Sequence, residues 1–498
     1  MITSVNELHE IVLRDGSIEF PETVANPLTD IEAALFEPQT WKLLSGGNMG
    51  VSSALIAASM ESDSCGNEVF IPQGISRMGV EDIVKETYRY LDPSSGNLSN
   101  FDYGPSDSVQ LGHGFPSALA FQRAFQAALG GWGVFYVEAT VPEMGFAARN
   151  HGFALNDDTL DHHINMVDVF KAYRLFDEQR IMLQITHAGW SAKTPLNFRN
   201  MLPPEGGDRL NPPTDGQLGH VLNSIQSAGF LAADAGYDGI DIKLCHGYGL
   251  PDFLLNLVRG AESFKEVQER IRPFLDVFTQ VRDYATDTLG KPNFAIGFRF
   301  SYFEGVPNGW GAKFDPDFDG RIGKYGPQDI NKLWSQRDTR LSLWTIQALS
   351  LVADYIHSSL GIPGCTPEEV RGTRRINPYS FLHHTTAVSE IHYALTEPAD
   401  DESARDIPII VSNMTGAGAG ALAYLHGNIR GGRKPSLGSY GRGFIADPLM
   451  PLKHYTGNPA DIAPCMTCSG CSKLLIDPTT PSGCSVYDPT IKAIKKAK

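Results

Sequence analysis

The sequence predicts an α/β protein, a closed TIM (β/α)8 barrel with an N-terminal arm and a C-terminal cysteine-rich extension. Three observations predict it. Short apolar strands alternate with amphipathic helices about eight times over roughly 380 residues, which suits a parallel barrel with insertions. One strand, Gly239-Ile240-Asp241-Ile242, delivers Lys243, Cys245, His246 and Tyr248 at its C-terminal tip, where such barrels keep their chemistry. Two late glycine-rich loops, 416–421 and 441–443, follow neighbouring strands. A doubly wound open sheet is the alternative arrangement of the same alternation.

Residues 1–66 are poorly periodic and read as the arm; 67–460 read as the barrel and 461–498 as the extension. The first strand is expected at Glu68–Pro72. A helix over Pro116–Leu129 leads to a strand at Gly133–Val137, and Asn156-Asp157-Asp158 caps a helix running to Phe176. The next strand is Ile181–Ile185, followed by a helix over Asp215–Ala235 and the strand at Gly239. A helix over Phe264–Leu289 precedes the strand Phe294–Phe300. Asp338–Val352 reads as helix, Asp354–Ser358 as a weak strand, Phe381–Leu395 as helix and Ile407–Val411 as strand. A helix over Ala419–His426 and a strand over Leu437–Tyr440 close the series.

A formal net charge of −16 over 498 residues argues against nucleic acid or an anionic membrane as the main partner. There is no apolar run of about eighteen residues, and the N-terminus resembles neither a signal nor a transit peptide. Seven cysteines, four of them close together near the C-terminus, suggest a reducing compartment rather than a disulfide scaffold. A cytoplasmic enzyme with a small-molecule substrate fits these bounds.

The segment Gly416-Ala417-Gly418-Ala419-Gly420-Ala421 formally matches a dinucleotide fingerprint, which also wants an acidic residue about twenty positions on. Between Ala421 and Ala446 there is none. It reads better as a loop whose N–H groups hold a phosphate, joined by Gly441 and Arg442 from the next strand; two ordinary turns are the alternative. Gln184 and His187 end one strand, and Arg299 lies inside Phe-Arg-Phe. A buried arginine needs an anion or an electron-rich ring, and a flavin offers both. Cys465, Cys468, Cys471 and Cys484 have spacing that suits a [4Fe–4S] cluster better than zinc, with a metal-free loop as the alternative. His162, His163, His383 and His384 lack ligand spacing and read as surface or packing residues. Cys245 reads as a small buried residue.

From about Asn67 to Pro489 the chain resembles the Old Yellow Enzyme family of FMN-dependent NAD(P)H:flavin oxidoreductases, and most of all the branch with 2,4-dienoyl-CoA reductase and trimethylamine dehydrogenase. The resemblance rests on Gly130-Gly131-Trp132-Gly133 leading to Glu138, on Gln184 to Gly189, on Ala235 to Tyr248, on Gly441 to Pro448 and on the cysteines. It implies FMN at the C-terminal mouth of a TIM barrel. The chain as read ends at Lys498, so the fused nucleotide domain of some members is expected to be absent, with external NAD(P)H as reductant.

The resemblance further implies that Pro72, Gln73 and Gly74 wall the isoalloxazine. Gln184 bonds its pyrimidine ring, Arg299 meets its N1 edge, and Asn413, Gly416, Gly418, Gly441 and Arg442 hold the phosphate. Tyr248 would protonate a substrate α-carbon after hydride from flavin N5 reaches the β-carbon, and His246 would bind the carbonyl oxygen. Where ene-reductases commonly carry a first histidine, this chain has Lys243, whose point charge favours an anionic substrate group. Pro72-Gln73 likewise replaces the usual Pro-Met. The expectation is ene-reduction. Two alternatives stand beside it: an FMN barrel catalysing dehydrogenation, amine oxidation or isomerisation, and a catalytically silent flavin- or metal-binding scaffold.

Overall fold

A computed structural model describes residues 56–59, 114–116, 118–148, 152–174, 177, 179–196, 213–318, 320, 322–371, 380–396, 405, 407–412, 437–439, 441–451, 462–468, 470–471 and 483–487. The strands are β1 (Ile56–Ser59), β2 (Val134–Val141), β3 (Phe153–Ala154), β4 (Arg180–Ile185), β5 (Gly239–Leu244), β6 (Ala295–Phe303), β7 (Tyr355–Leu360), β8 (Ile409–Val411) and β9 (Leu437–Ser439). The helices are α1 (Ala118–Leu129), α2 (Leu160–Tyr173), α3 (Asp215–Asp234), α4 (Gly249–Val258), α5 (Phe264–Asp283), α6 (Pro327–Ser335), α7 (Arg340–Ser350), α8 (Pro367–Arg371), α9 (Ser380–Thr396) and α10 (Gly441–Ala446).

All strand pairings are parallel, in the order β1-β9-β8-β7-β6-β5-β4-β2-β3, and β1 also pairs with β2. Eight strands therefore form a closed ring, with β3 as a short flap on the end of β2. This is an α/β barrel, and the open-sheet alternative falls away. Its first strand differs from expectation. Ile56–Ser59, inside the segment read as an arm, pairs with both neighbours, whereas the expected strand at 68–72 lies outside the described residues. The sequence Ile-Ala-Ala-Ser lacks the β-branched and aromatic density that marks a strand, so Val69-Phe70-Ile71 drew the assignment instead.

Alternation along β5 explains how the barrel is filled. Ile240, Ile242 and Leu244 belong to the apolar core, whereas Asp241 bonds side chains of β4 and β7 across the interior. Phe298 of β6 faces outward onto α5, with Phe274 and Phe278 centroids at 6.2 and 5.0 Å. Helix starts follow capping chemistry. Thr214 Oγ1 accepts from the Gln217 N–H at 3.3 Å, and Gln217 Oε1 accepts from the Thr214 N–H at 2.9 Å. Asn156 Oδ1 accepts from the N–H groups of Asp158 and Thr159, so it caps the turn before α2.

Two expectations shift. The helix predicted to reach Leu289 leaves α-geometry at Tyr284 and ends in a π turn over Tyr284–Thr288. The helix α4 was not legible because it is buried almost all round and has no polar stripe to give a period. The predicted helix at 419–426 lies outside the described residues. Among the described residues no helix is long and apolar enough to cross a membrane.

Candidate active site at the barrel mouth

The strand register sets two inward rows. Gln184, Asp241, Gly297 and Tyr355 are neighbours across β4, β5, β6 and β7. Two residues further along, Lys243, Arg299 and His357 are neighbours across β5, β6 and β7. The same alternation that makes the strands therefore stacks a carboxylate row beneath a cationic row.

Asp241 is fully buried. It accepts from Gln184 Nε2 at 2.7 Å and from the Tyr355 hydroxyl at 2.8 Å. Burial pushes its carboxyl pKa up, while Gln184, Arg299, Tyr355 and Lys243 pull the other way. Gly297 makes this crossing possible. A Cβ there would sit 1.8 Å from the Tyr355 ring, so only glycine lets the phenol span β6. Gln184 Oε1 is buried and has no hydrogen-bond partner.

In the upper row, Lys243 is fully buried, and its ammonium lies 4.1 Å from the centroid of the Tyr248 ring with no hydrogen-bond partner. Arg299 Nη2 donates to Ser412 Oγ at 3.2 Å, and Ser412 Oγ lies 3.1 Å from His357 Nε2. Burial, then Arg299, His246 and His384, lower the His357 pKa well below its usual value and keep the ring neutral. The arginine expected to face only a bound group thus also has protein partners.

His246 stands at φ 68°, left-handed for a non-glycine residue, and Gly247 follows at φ 68°. The end of β6 holds this turn. Ser301 Oγ accepts from the His246 N–H at 3.0 Å, and Glu304 Oε1 accepts from the Gly247 N–H at 3.0 Å. The His246 ring reaches β7, with Nε2 2.9 Å from Ser359 Oγ. Tyr248 then caps α4. From β4, His187 accepts the Gly189 N–H at Nδ1, which leaves its proton on Nε2. Burial lowers its pKa to about 4.

Cys245 is buried at 0% exposure, as expected of a small packed residue. His163 packs between the Tyr237 hydroxyl and the Ala154 carbonyl, and His383 stacks on Trp334 at 4.2 Å. Gly441 and Arg442 open α10. Arg442 lies close enough to Cys465 to favour its thiolate, although burial raises that thiol's pKa overall. Asp447 Oδ2 accepts from the Ala463 N–H, tying the cysteine loop to the end of the barrel.

The sulfurs of Cys468 and Cys484 accept N–H bonds from Gly470 and Tyr487, and Cys465 feels the thiols of Cys471 and Cys484. Even so, among the described residues no three His, Cys, Asp or Glu side chains are grouped to hold a metal. Pro72, Gln73, Gly74, Asn413, Gly416 and Gly418 lie outside the described residues.

Sequence reasoning missed Asp241, Tyr355, His357, Ser412 and Glu304. The signal for Asp241 was present, since it sits two residues before Lys243 and so shares its face of the strand. The others come from distant strands, and only the register brings them in.

No family model matches the chain. Over 136 residues it is 31% identical to a 4,4'-dithiodibutanoate disulfide reductase of Rhodococcus erythropolis, a stretch covering 25% of this chain and 32% of that enzyme. Among solved structures it is similar to a 2-naphthoyl-CoA reductase in complex with 2-naphthoyl-CoA, with TM-score 0.55, 15% identity, and 77% of this chain and 53% of that one covered. It is also similar to histamine dehydrogenase from Rhizobium sp. 4-9, with TM-score 0.53, 17% identity, and 75% and 48% covered. The chain thus spans about half the length of these solved relatives and a third of the curated one. At these identities the structural likeness establishes the barrel fold alone.

Proposed function

We propose that this chain is an FMN-dependent oxidoreductase that takes reducing equivalents from NAD(P)H and reduces a carbonyl-activated carbon–carbon double bond. The observation that carries the reading is Lys243, a buried ammonium with no hydrogen-bond partner, set against the ring of Tyr248. A buried ammonium without a hydrogen-bond acceptor is costly and marks a site for an anion or a developing oxyanion. The donor set also fits a flavin. Arg299 supplies a buried cation and Gln184 a buried acceptor, and the resemblance adds Gly441 and Arg442 with Pro72, Gln73, Gly74, Asn413, Gly416 and Gly418.

When bound, FMN supplies the hydride. The chain's own residues do the rest. Lys243 stabilises negative charge building on the substrate oxygen, and the Ser359-braced His246 ring limits how that oxygen can sit. The Tyr248 hydroxyl supplies the proton to the α-carbon, and a phenol is a competent acid toward an enolate carbon within hydrogen-bond reach. Exclusion of water at the buried upper row strengthens each of these interactions. A [4Fe–4S] cluster on Cys465, Cys468, Cys471 and Cys484 remains a proposal from spacing and resemblance, and no step depends on it.

A second reading is reduction of an organic disulfide, favoured by the likeness to the Rhodococcus enzyme and by lysine in place of histidine. Lys243 would then meet the departing thiolate. One experiment addresses both readings. The purified protein is examined for flavin absorbance and iron, then offered NADH or NADPH with enones, enoic acids and carboxylate-bearing disulfides. Turnover of alkenes supports the first reading, and turnover of disulfides alone supports the second. A colourless protein that takes up no FMN, or one showing only flavin autoxidation, overturns the first reading.

A further inference from the structure

The carboxylate row beneath the mouth holds a constraint that the reaction does not itself require. Gln184 presents two different ends, an NH2 that donates and a carbonyl that accepts. With a donor on each of its oxygens Asp241 is held as an acceptor, and it takes the NH2 end, 2.7 Å away. The Tyr355 hydroxyl donates to the other carboxylate oxygen at 2.8 Å, and the missing side chain of Gly297 keeps that phenol in place. What remains is Gln184 Oε1, buried and without a hydrogen-bond partner. Lys243 and Arg299 stand in the row directly above.

We propose that Asp241 is a positioning residue: it fixes Gln184 so that only the amide carbonyl is offered to a ligand, and its charge offsets part of the Lys243 and Arg299 charge. The inference rests on the flavin reading. It adds that this site requires an N–H donor on the flavin's pyrimidine ring, and that a single carboxylate imposes the requirement. Without Asp241 the amide is free to turn either end to the ligand, and the cationic row is less balanced.

The test compares FMN with 3-methyl-FMN, which lacks the imide N–H, as titrants of apoprotein followed by flavin fluorescence. Wild type is expected to bind the methylated analogue roughly ten- to hundredfold more weakly, the penalty for leaving a buried acceptor unpaired. In Asp241→Asn that ratio is expected to narrow severalfold. The midpoint potential of the bound flavin is expected to move to a more positive value, because a negative charge has been removed. A merely structural role would lower affinity for both flavins alike and leave the potential where it was.

Tyr355→Phe is the second variant, in case Asp241→Asn does not fold. It removes the hydroxyl that holds the carboxylate in place and is expected to narrow the binding ratio of the two flavins in the same direction by less. Equal binding of the two flavins by wild type overturns the inference. So does an unchanged ratio and potential in Asp241→Asn, or, where that variant does not fold, an unchanged ratio in Tyr355→Phe. Failure of wild type to bind either flavin instead overturns the flavin reading on which it rests.

Discussion

The ammonium of Lys243 lies 4.1 Å from the centroid of the Tyr248 ring, five residues on and across a left-handed turn. The contact pairs the two groups that the proposed chemistry needs side by side. It also leaves the ammonium's N–H donors unused by the protein.

Replacing Lys243 by Met keeps the length of the side chain and removes the charge. Thermal melting is expected to rise by a few degrees, because a buried cation has been replaced by an apolar group. Turnover is expected to fall at least about a hundredfold. A melting temperature that drops while turnover persists would contradict the assigned role.

Tyr248→Phe retains the ring against Lys243 and loses only the hydroxyl. Reduction of the bound flavin by NAD(P)H is expected to be unchanged in stopped-flow measurements, while alkene reduction slows by about 10²- to 10⁴-fold. Equal slowing of both half-reactions would instead point to a disturbed cofactor.

Gly297→Ala would force a Cβ into the Tyr355 ring. The variant is expected to lose at least about 3 kcal/mol of stability in urea titration, through overpacking and the broken contact with Asp241. An alanine variant as stable as wild type would show that the phenol does not cross at this point.

Glu304 receives the N–H groups of Gly247 and Trp310 on its two oxygens. Glu304→Ala leaves both buried donors unpaired and is expected to destabilise by about 3 kcal/mol, whereas Glu304→Gln restores one acceptor and recovers part of the loss. Chemical denaturation of the two variants side by side checks the order.

Burial holds His163 and His187 near a pKa of about 4 in the folded protein, against about 6.5 in an unfolded chain. Both rings are therefore neutral when folded at pH 5 to 6, and the unfolded chain binds more protons there. Their contribution is complete above pH 6.5 and is lost as the pH falls toward 4, at about 1.4 kcal/mol per pH unit for each ring within that interval. Unfolding free energies measured from pH 6.5 down to 5 are expected to fall toward that slope, and a flat profile there would refute it.

The alternation of strands and helices, and so the barrel, was legible because each strand–helix unit carries its own periodic pattern. Alternation also gave Lys243 and Arg299, which break apolar runs and so stand out. Ile56–Ser59 was not legible, since four residues with two alanines carry little strand signal. Nor was the Arg299–Ser412–His357 set, whose members sit on three strands and meet only through register. His246 was legible as a candidate but its left-handed backbone was not, because nothing local demands it. Ser301 and Glu304, from the following strand and its end, hold it there.

The ring closes where Ile56 and Ala57 meet Gly438 and Ser439. That seam joins strands about 380 residues apart, so during synthesis the sheet stays an open ribbon with two raw edges until Leu437–Ser439 has left the ribosome. The final stitch is thus also the slowest kind of contact to make, and the growing chain must keep both margins from pairing with strangers in the meantime.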